Sequence, residues 1–448
     1  MLKLILFVLV GNCLIFSQDY KDPKYKEIAE KIYIHAHKDS AAWDKLAFLC
    51  DNFGNRISGS ENLERAIDWV YSEMQKDSFA NVKKEPCLVP KWVRIKNECT
   101  MTSPWEYKIP VLAIGPSVPT PKEGLEGEII IVKDFDELEK LGKKVKGKIV
   151  LYNRAFTNYG ETVQYRFHGA SKAAEYGAIA SLIRSVTPHY DANAHTGTSE
   201  YAEGVTKIPH AAISLEATDV IQRLVNEGKK VKIKLLIDTK FYPDAQSHNV
   251  MFELKGTTLS NEIVAAGGHI DSWDVGQGAH DDGGPCIAVW EAVKLLRDLN
   301  LVPKRTIRVV FWTNEENGLR GGLDYADKHK NEHHHGLLEF DSGVFKPVGI
   351  GYSGNEKYFE KYKESEFLFK VINDEFQIKQ GGGGADIGPM MKLGFTGMGF
   401  NVDSKGEYWR YHHSQNDTVD KVDKKVLNDC IAALAMALYI YADLDVIE

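Results

Sequence analysis

The sequence is poor in the features that mark several classes of protein. Six cysteines in 448 residues are too few for a disulfide scaffold, and no Cys-x-x-Cys occurs, which argues against a zinc ribbon or a thiol-redox site. Basic residues do not predominate: 55 Lys and Arg against 63 Asp and Glu leave a net charge of −8, without the footprint of a nucleic-acid binder. Beyond the N-terminus no run of 18 apolar residues occurs, so no membrane span is expected. Internal repeats are absent, and biased sequence is confined to Gly381–Gly384 and His333–His335. What remains is an ordinary globular composition, 43% hydrophobic and 26% charged, in a chain long enough for two or three domains.

The first residues bear on compartment. Lys3 precedes an apolar run, Leu4–Val10, that resumes after Gly11 and Asn12 and closes through Leu14–Phe16 on the small Ser17. This is the pattern of a cleaved secretory signal over residues 1–17, and it is too short for the roughly 20 residues a bilayer requires. Loss of Cys13 leaves Cys50, Cys87, Cys99, Cys286 and Cys430, an odd number. One or two disulfides are permitted in an oxidising compartment, with the pairing open. Cys286, in an apolar helical run, reads as a buried small hydrophobe.

Helical patterns over 23–38 and 41–53 are followed by a helix over 61–74 capped by Ser60 and a strand-like stretch over 82–92, the opening of an α/β domain. Between about 104 and 243 the character changes. Short β-branched runs at 127–132 and 147–152, an Ala-rich helix and strand through 170–183, a strand at 211–215 and a helix at 218–226 suggest an inserted β-rich lid or scaffold with two helices. That segment carries no ligand-rich motif. The parent domain resumes near Asn249. The histidine run 333–335 reads as a solvated loop.

The resumed domain places polar residues at the ends of strands. The strand 262–268 stops at two glycines, and His269-Ile270-Asp271 follows. Asp281-Asp282 stands just before a helix that starts near Pro285. The strand 306–312 leads to Glu315-Glu316, the strand 337–340 to Asp341, and the strand 395–401 to a loop holding His412-His413. In an open α/β sheet, ligands bind outside the carboxyl ends of strands, so five loops can share one crevice. Several carboxylates close together cannot all ionise without a compensating cation. Imidazole and carboxylate donors without thiolate suit zinc, or another first-row divalent ion. Each piece alone is an ordinary loop or helix cap; their joint placement is not.

The stretch Gly267-Gly268-His269-Ile270-Asp271-Ser272-Trp273-Asp274, then Asp281-Asp282-Gly283-Gly284, resembles the metallopeptidase M28 family, in its plasma glutamate carboxypeptidase branch. Trp312-Thr313-Asn314-Glu315-Glu316, Asp341-Ser342-Gly343 and His413-Ser414-Gln415-Asn416-Asp417-Thr418 continue the resemblance. Val145–Leu151 and Gly177–Ala180 resemble a protease-associated domain.

This likeness implies a mixed-sheet zinc exopeptidase domain, an α/β/α sandwich over 18–104 and 245–448, with a β-rich protease-associated-like insert over 105–244. It also implies two zinc ions per chain. His269 and Asp341 would hold one, Glu316 and His413 the other, and Asp281 would bridge them. Glu315 would be the general base acting on a metal-bridging hydroxide, and Asp271 would orient or polarise His269. His280 and His412 adjoin ligand positions but are not ligands in the family pattern.

The expectation is therefore a secreted or lysosomal exopeptidase for short peptides, dipeptides with free termini, forming a homodimer by family analogy. Rivals are a peptidase-fold binding protein without activity, and a single-zinc glutaminyl cyclase. The sequon Asn416-Asp417-Thr418 is expected to be unmodified, because a glycan there would crowd a metal ligand. Gly381–Gly384 fits either a close backbone approach to substrate or a flexible loop.

Overall fold

Strands buried on both faces read as continuous apolar runs, whereas half-exposed ones alternate; the centre of this protein follows the first rule. The computed structural model describes residues 18–38 and 40–445, so the signal reading and Cys13 lie outside the described residues. Fourteen strands join one sheet. In chain order they are β1 (Ala80–Ser103), β2 (Tyr107–Ile109), β3 (Val111–Ala113), β4 (Leu125–Val132), β5 (Ile149–Tyr152), β6 (Ala180–Arg184) and β7 (His210–Ile213). They continue as β8 (Lys232–Leu254), β9 (Leu259–His269), β10 (Arg305–Trp312), β11 (His333–Glu339), β12 (Lys346–Ser353), β13 (Gln377–Gln380) and β14 (Gly397–Asp403).

At the centre, β14, β11, β9 and β10 lie side by side and parallel. All eight residues of β10 are buried. Antiparallel β12 and β8 flank this block, which makes the sheet mixed. Helices Gly284–Asp298 and Lys424–Ala442 form one face with Pro23–Ala36 and Ala41–Phe53, and Arg320–His329 and Gly388–Lys392 cover the other. The result is an α/β/α sandwich. Among the described residues only Lys424–Ala442 is long and apolar enough to cross a membrane, and it is mostly buried in this core.

Strands β1 and β8 pair antiparallel along most of their lengths. β8 joins β10 through Val250–Leu254 and β4 through Lys232–Leu235, so one ribbon serves both halves of the sheet. Beyond it, β4, β5, β6 and β7 run parallel and β3 closes the edge antiparallel. Helices Tyr159–Glu175 and Leu215–Asn226 accompany these strands, with a third, Phe135–Leu141, that the pattern did not reveal. It is one short stretch, started by the Asp134 side chain accepting from Glu137 N–H.

Two local readings need correction or completion. The histidines 333–335 open β11 instead of forming a solvated loop, pairing with β9 from Glu262 onward. His334 is buried against the Tyr325 hydroxyl at 2.9 Å, and the His335 ring meets Tyr358 and Tyr441. Burial pushes these imidazoles down to about 4 and about 3, so they enter the sheet neutral. The five described cysteines are all buried and free; Cys286 is fully enclosed, as its run suggested.

One buried cation organises the approach to the sheet's carboxyl edge. Arg56 is fully buried, and its guanidinium donates to the carbonyls of Ile270, Gly54, Gln277 and Gly278 at 2.6–3.0 Å. Arg56→Met should lower the unfolding free energy by at least about 3 kcal/mol, because each orphaned buried acceptor costs about 1–3. Urea unfolding measures this. A loss below about 1 kcal/mol, the net worth of a single ordinary hydrogen bond, would show that the loop does not depend on Arg56.

Candidate active site

Parallel strands deliver their carboxyl ends to one edge of the sheet, and the sequence-predicted residues meet there. His269 ends β9; Glu315 and Glu316 follow β10; Asp341 follows β11. His412 and His413 follow the short helix Tyr408–Tyr411 after β14, and Asp281 lies in the turn before Gly284–Asp298. Gly268 makes the approach possible: a Cβ there would sit 2.0 Å from Asp282 Oδ2, the atom that accepts the His269 N–H at 3.1 Å.

Asp281 occupies the middle. Its Oδ1 lies 3.3 Å from His269 Nε2 and its Oδ2 3.4 Å from His413 Nε2. His269 Nε2 is 3.8 Å from Asp341 Oδ1, and His413 Nε2 is 3.0 Å from Glu316 Oε2. Three groups therefore present donor atoms within 4.8 Å of one another: His269 with Asp281 and Glu316, His269 with Asp282 and Asp341, and Asp281 with His412 and His413. Asp282 was not among the expected ligands. His412 lies with its ring stacked on that of His413, centroids 3.5 Å apart.

The remaining expected residues hold this arrangement together. The Asp271 carboxylate accepts from the Glu315 and Glu316 N–H groups at 3.0 and 3.3 Å, fixing the pair. Its main-chain carbonyl, at 2.9 Å, takes His269 Nδ1, whereas its carboxylate stands 3.7 Å off. His280 accepts the Val344 N–H at Nδ1, and its ring lies nearly parallel to those of Phe345 and Tyr411, with centroids 4.7 and 4.9 Å away. Asn416 of the sequon donates its amide to Asp191 at 2.9 Å. Gly384 leads Ala385 to Glu339, whose carboxylate accepts from the Ala385 and Ile387 N–H groups.

Sequence reasoning missed the function of two groups. Asp417 accepts the N–H groups of His280 and Asp281 at 2.7 and 3.1 Å, aiming the turn that carries Asp281; its place within the quoted His413 stretch was the available signal. Arg166 and Thr196 reach His413 from the segment that showed no ligand-like pattern. Together with Tyr159 and Trp409, residues of that segment wall a cavity of 640 Å³ onto which Asp281, Glu315, Glu316, Asp341 and His413 open.

Electrostatics show what the site is suited to hold. Burial pushes the Glu315 carboxyl up to about 8, with Asp341, Asp271 and Asp281 adding to the effect against His269. Burial also raises Asp281, and takes Glu316 and Asp282 well above their ordinary values. It lowers His413, with help from His412 and Arg166. His269 goes the other way: burial opposes its charge, but the adjoining Asp281 and Asp341 outweigh it. His269 Nε2, Asp281 Oδ2 and Asp282 Oδ1 are buried without a hydrogen-bond partner. His269 Nε2 and Asp281 Oδ2 stand near other donors yet lack hydrogen-bond alignment, as atoms aimed at a shared cation would. Both His269 and His413 turn Nδ1 to a main-chain carbonyl, the support a metal-bound imidazole takes. Imidazole and carboxylate without thiolate form a donor set that suits zinc.

A mixed sheet that gathers such donors at its carboxyl edge, beside an open cavity, defines a metal-dependent hydrolase. Residues 249–438 match the model for peptidase family M28. Carboxypeptidase Q of Homo sapiens is 40% identical over 414 residues, covering 92% of this chain and 87% of that protein. Carboxypeptidase Q of Xenopus laevis is 39% identical, covering 94% and 90%. The crystal structure of a peptidase M28 precursor from Shewanella amazonensis superposes with a TM-score of 0.91 at 33% identity, covering 95% and 98%. A zinc aminopeptidase from Bacillus subtilis shares the fold, with a TM-score of 0.65 at 20% identity over 90% and 97%. The chain belongs to peptidase family M28 and is a metallopeptidase.

A site built for cations is stabilised by them. Stripping metal with a chelator should lower the melting temperature by several degrees, and zinc should restore it, since a ligand at about 1,000 times its Kd adds about 4 kcal/mol. Differential scanning calorimetry reads the shift. Equal melting of stripped and zinc-loaded protein would contradict the fit.

Proposed function

We propose that this metallopeptidase is a secreted or lysosomal di-zinc exopeptidase that hydrolyses short peptides, dipeptides with free termini. The observation that carries the reading is the division of Asp281 between two imidazoles, one oxygen facing His269 and the other His413. His269 and Asp341 would hold one zinc, Glu316 and His413 the other, and Asp281 both. Relatives named carboxypeptidase Q support exopeptidase action, and the 640 Å³ cavity falls within the roughly 300–1,000 Å³ of small-ligand sites. Secretion rests on Lys3 and the apolar run behind it. The protease-associated-like insert over 105–244 and the homodimer rest on family resemblance.

When bound, the zinc pair supplies an acidified water and polarises the scissile carbonyl. The chain's own residues do the rest. Glu316 is turned to His413, while the Glu315 carboxylate lines the cavity with no hydrogen-bond partner among the described residues. Its main chain is fixed by Asp271. Glu315 can therefore accept a proton from the attacking water and return it to the amide nitrogen as the C–N bond breaks.

Glu315→Gln should keep zinc near the wild-type amount while kcat falls about 10²–10⁴-fold; retained turnover would remove Glu315 from the mechanism. His413→Ala should lose one zinc of two by elemental analysis. A wild-type complement of only one zinc would favour the single-metal cyclase reading. For substrate class, a dipeptide matrix with acetylated or amidated ends should show loss of hydrolysis on blocking, and full hydrolysis with both ends blocked would refute exopeptidase action.

A further inference from the structure

His413 is held from a segment that contributes no ligand of its own. His413 has φ +58°, a left-handed conformation that non-glycine residues adopt infrequently. Its main chain and ring are both tied to Thr196. The Thr196 N–H donates to the His413 carbonyl at 2.9 Å, and the Thr196 carbonyl lies 3.3 Å from His413 Nδ1. His195 Nδ1 meets the His412 carbonyl at 2.8 Å. With Nε2 turned to Glu316 and Asp281, this network places the ring proton on Nδ1, where it points the ring.

Arg166 fastens the strap that carries Thr196. Its Nε donates to the Thr198 carbonyl at 3.3 Å, one terminal nitrogen to the Thr196 carbonyl at 3.5 Å, and the other to the Tyr159 hydroxyl at 2.8 Å. The guanidinium also lies 3.2 Å from His413 Nδ1, and with the ring proton on Nδ1 this is a contact between two donors, not a hydrogen bond, so Arg166 acts on His413 through the Thr196 carbonyl. It is only 3% exposed, so its donors are committed to protein and not to solvent. Gly197, between the two carbonyls, has φ +138°, and a Cβ there would sit 2.3 Å from Arg166 Cζ. The strap is thus laid directly against the guanidinium, as only glycine permits.

We infer that Arg166 is a positioning residue for His413: by holding the Thr196–Thr198 strap, it sets the affinity of the ion bound by Glu316 and His413 and leaves the ion at His269 and Asp341 unchanged. The segment between β1 and β8 is then a working part of one metal position. This inference rests on the ligand reading proposed above.

The test compares zinc per chain, and zinc affinity by chelator competition, in full-length wild type, Arg166→Ala, Arg166→Lys, Tyr159→Phe and His413→Ala. Arg166→Ala should weaken one of two ions by about 10–100-fold, the usual effect of removing a ligand's support. Millimolar guanidinium should restore that ion, and equal sodium chloride should not. Tyr159→Phe, which removes only the hydroxyl, should weaken the same ion by less. Wild-type affinity for both ions in Arg166→Ala, or equal weakening of both, would overturn the role. If Arg166→Ala does not fold, Arg166→Lys and Tyr159→Phe decide, and wild-type affinity in both overturns it. His413→Ala separates the two levels: both ions retained there would refute the ligand assignment and this inference with it. One ion lost there, with none weakened in Arg166→Ala, would overturn Arg166 alone.

Discussion

Negative charge gathered in a buried place must be neutralised, and the site depends on that constraint. Asp271, Asp281, Asp282, Glu315, Glu316 and Asp341 converge at one edge of the sheet with two imidazoles, and all but Glu315 and Asp341 are buried. Burial, reinforced by the neighbouring carboxylates, drives several of these carboxyls toward their neutral forms. Divalent cations reverse that tendency, and the residues are arranged for them.

The carboxylates divide by task. Asp271, Asp282 and Asp417 are spent on main-chain N–H groups, those of Glu315 and Glu316, of His269, and of His280 and Asp281 respectively. Asp281, Glu316 and Asp341 face the imidazoles. The first set fixes loops that the strands merely deliver, and the second turns oxygens to the centre, Glu316 with its Oε2 while its Oε1 accepts the Trp273 N–H at 3.2 Å. Such division lets adjacent residues differ in function: Glu315 stays free beside Glu316, and Asp282 braces His269 beside Asp281.

Much of this was readable in the sequence because the residues that carry chemistry are short-range neighbours of strand ends. His269, Asp281, Glu315, Glu316, Asp341 and His413 each follow a buried run or precede a helix start, and their spacing places them on one edge. Ser60, as a helix cap, acts within its own turn. The parts that stayed hidden act across distance. Arg166 and Thr196 sit more than 200 residues before His413 and look like ordinary helix and loop residues until the halves of the sheet meet. The β1–β8 ribbon escaped notice beyond its first stretch because bulges at Ala80/Lys83, Val89/Lys91, Arg94/Lys96 and Met101/Ser103 break the two-residue alternation. His333–His335 misled because polar side chains enter a strand when aromatic neighbours cover them.

In the proposed arrangement two cations would flank one carboxylate, that of Asp281. Anomalous diffraction from crystals of the active protein, recorded at the zinc edge, locates them without reference to activity. The account expects two peaks on opposite sides of Asp281, one among His269 and Asp341 and one among Glu316 and His413. A single peak, or density away from Asp281 altogether, would contradict it.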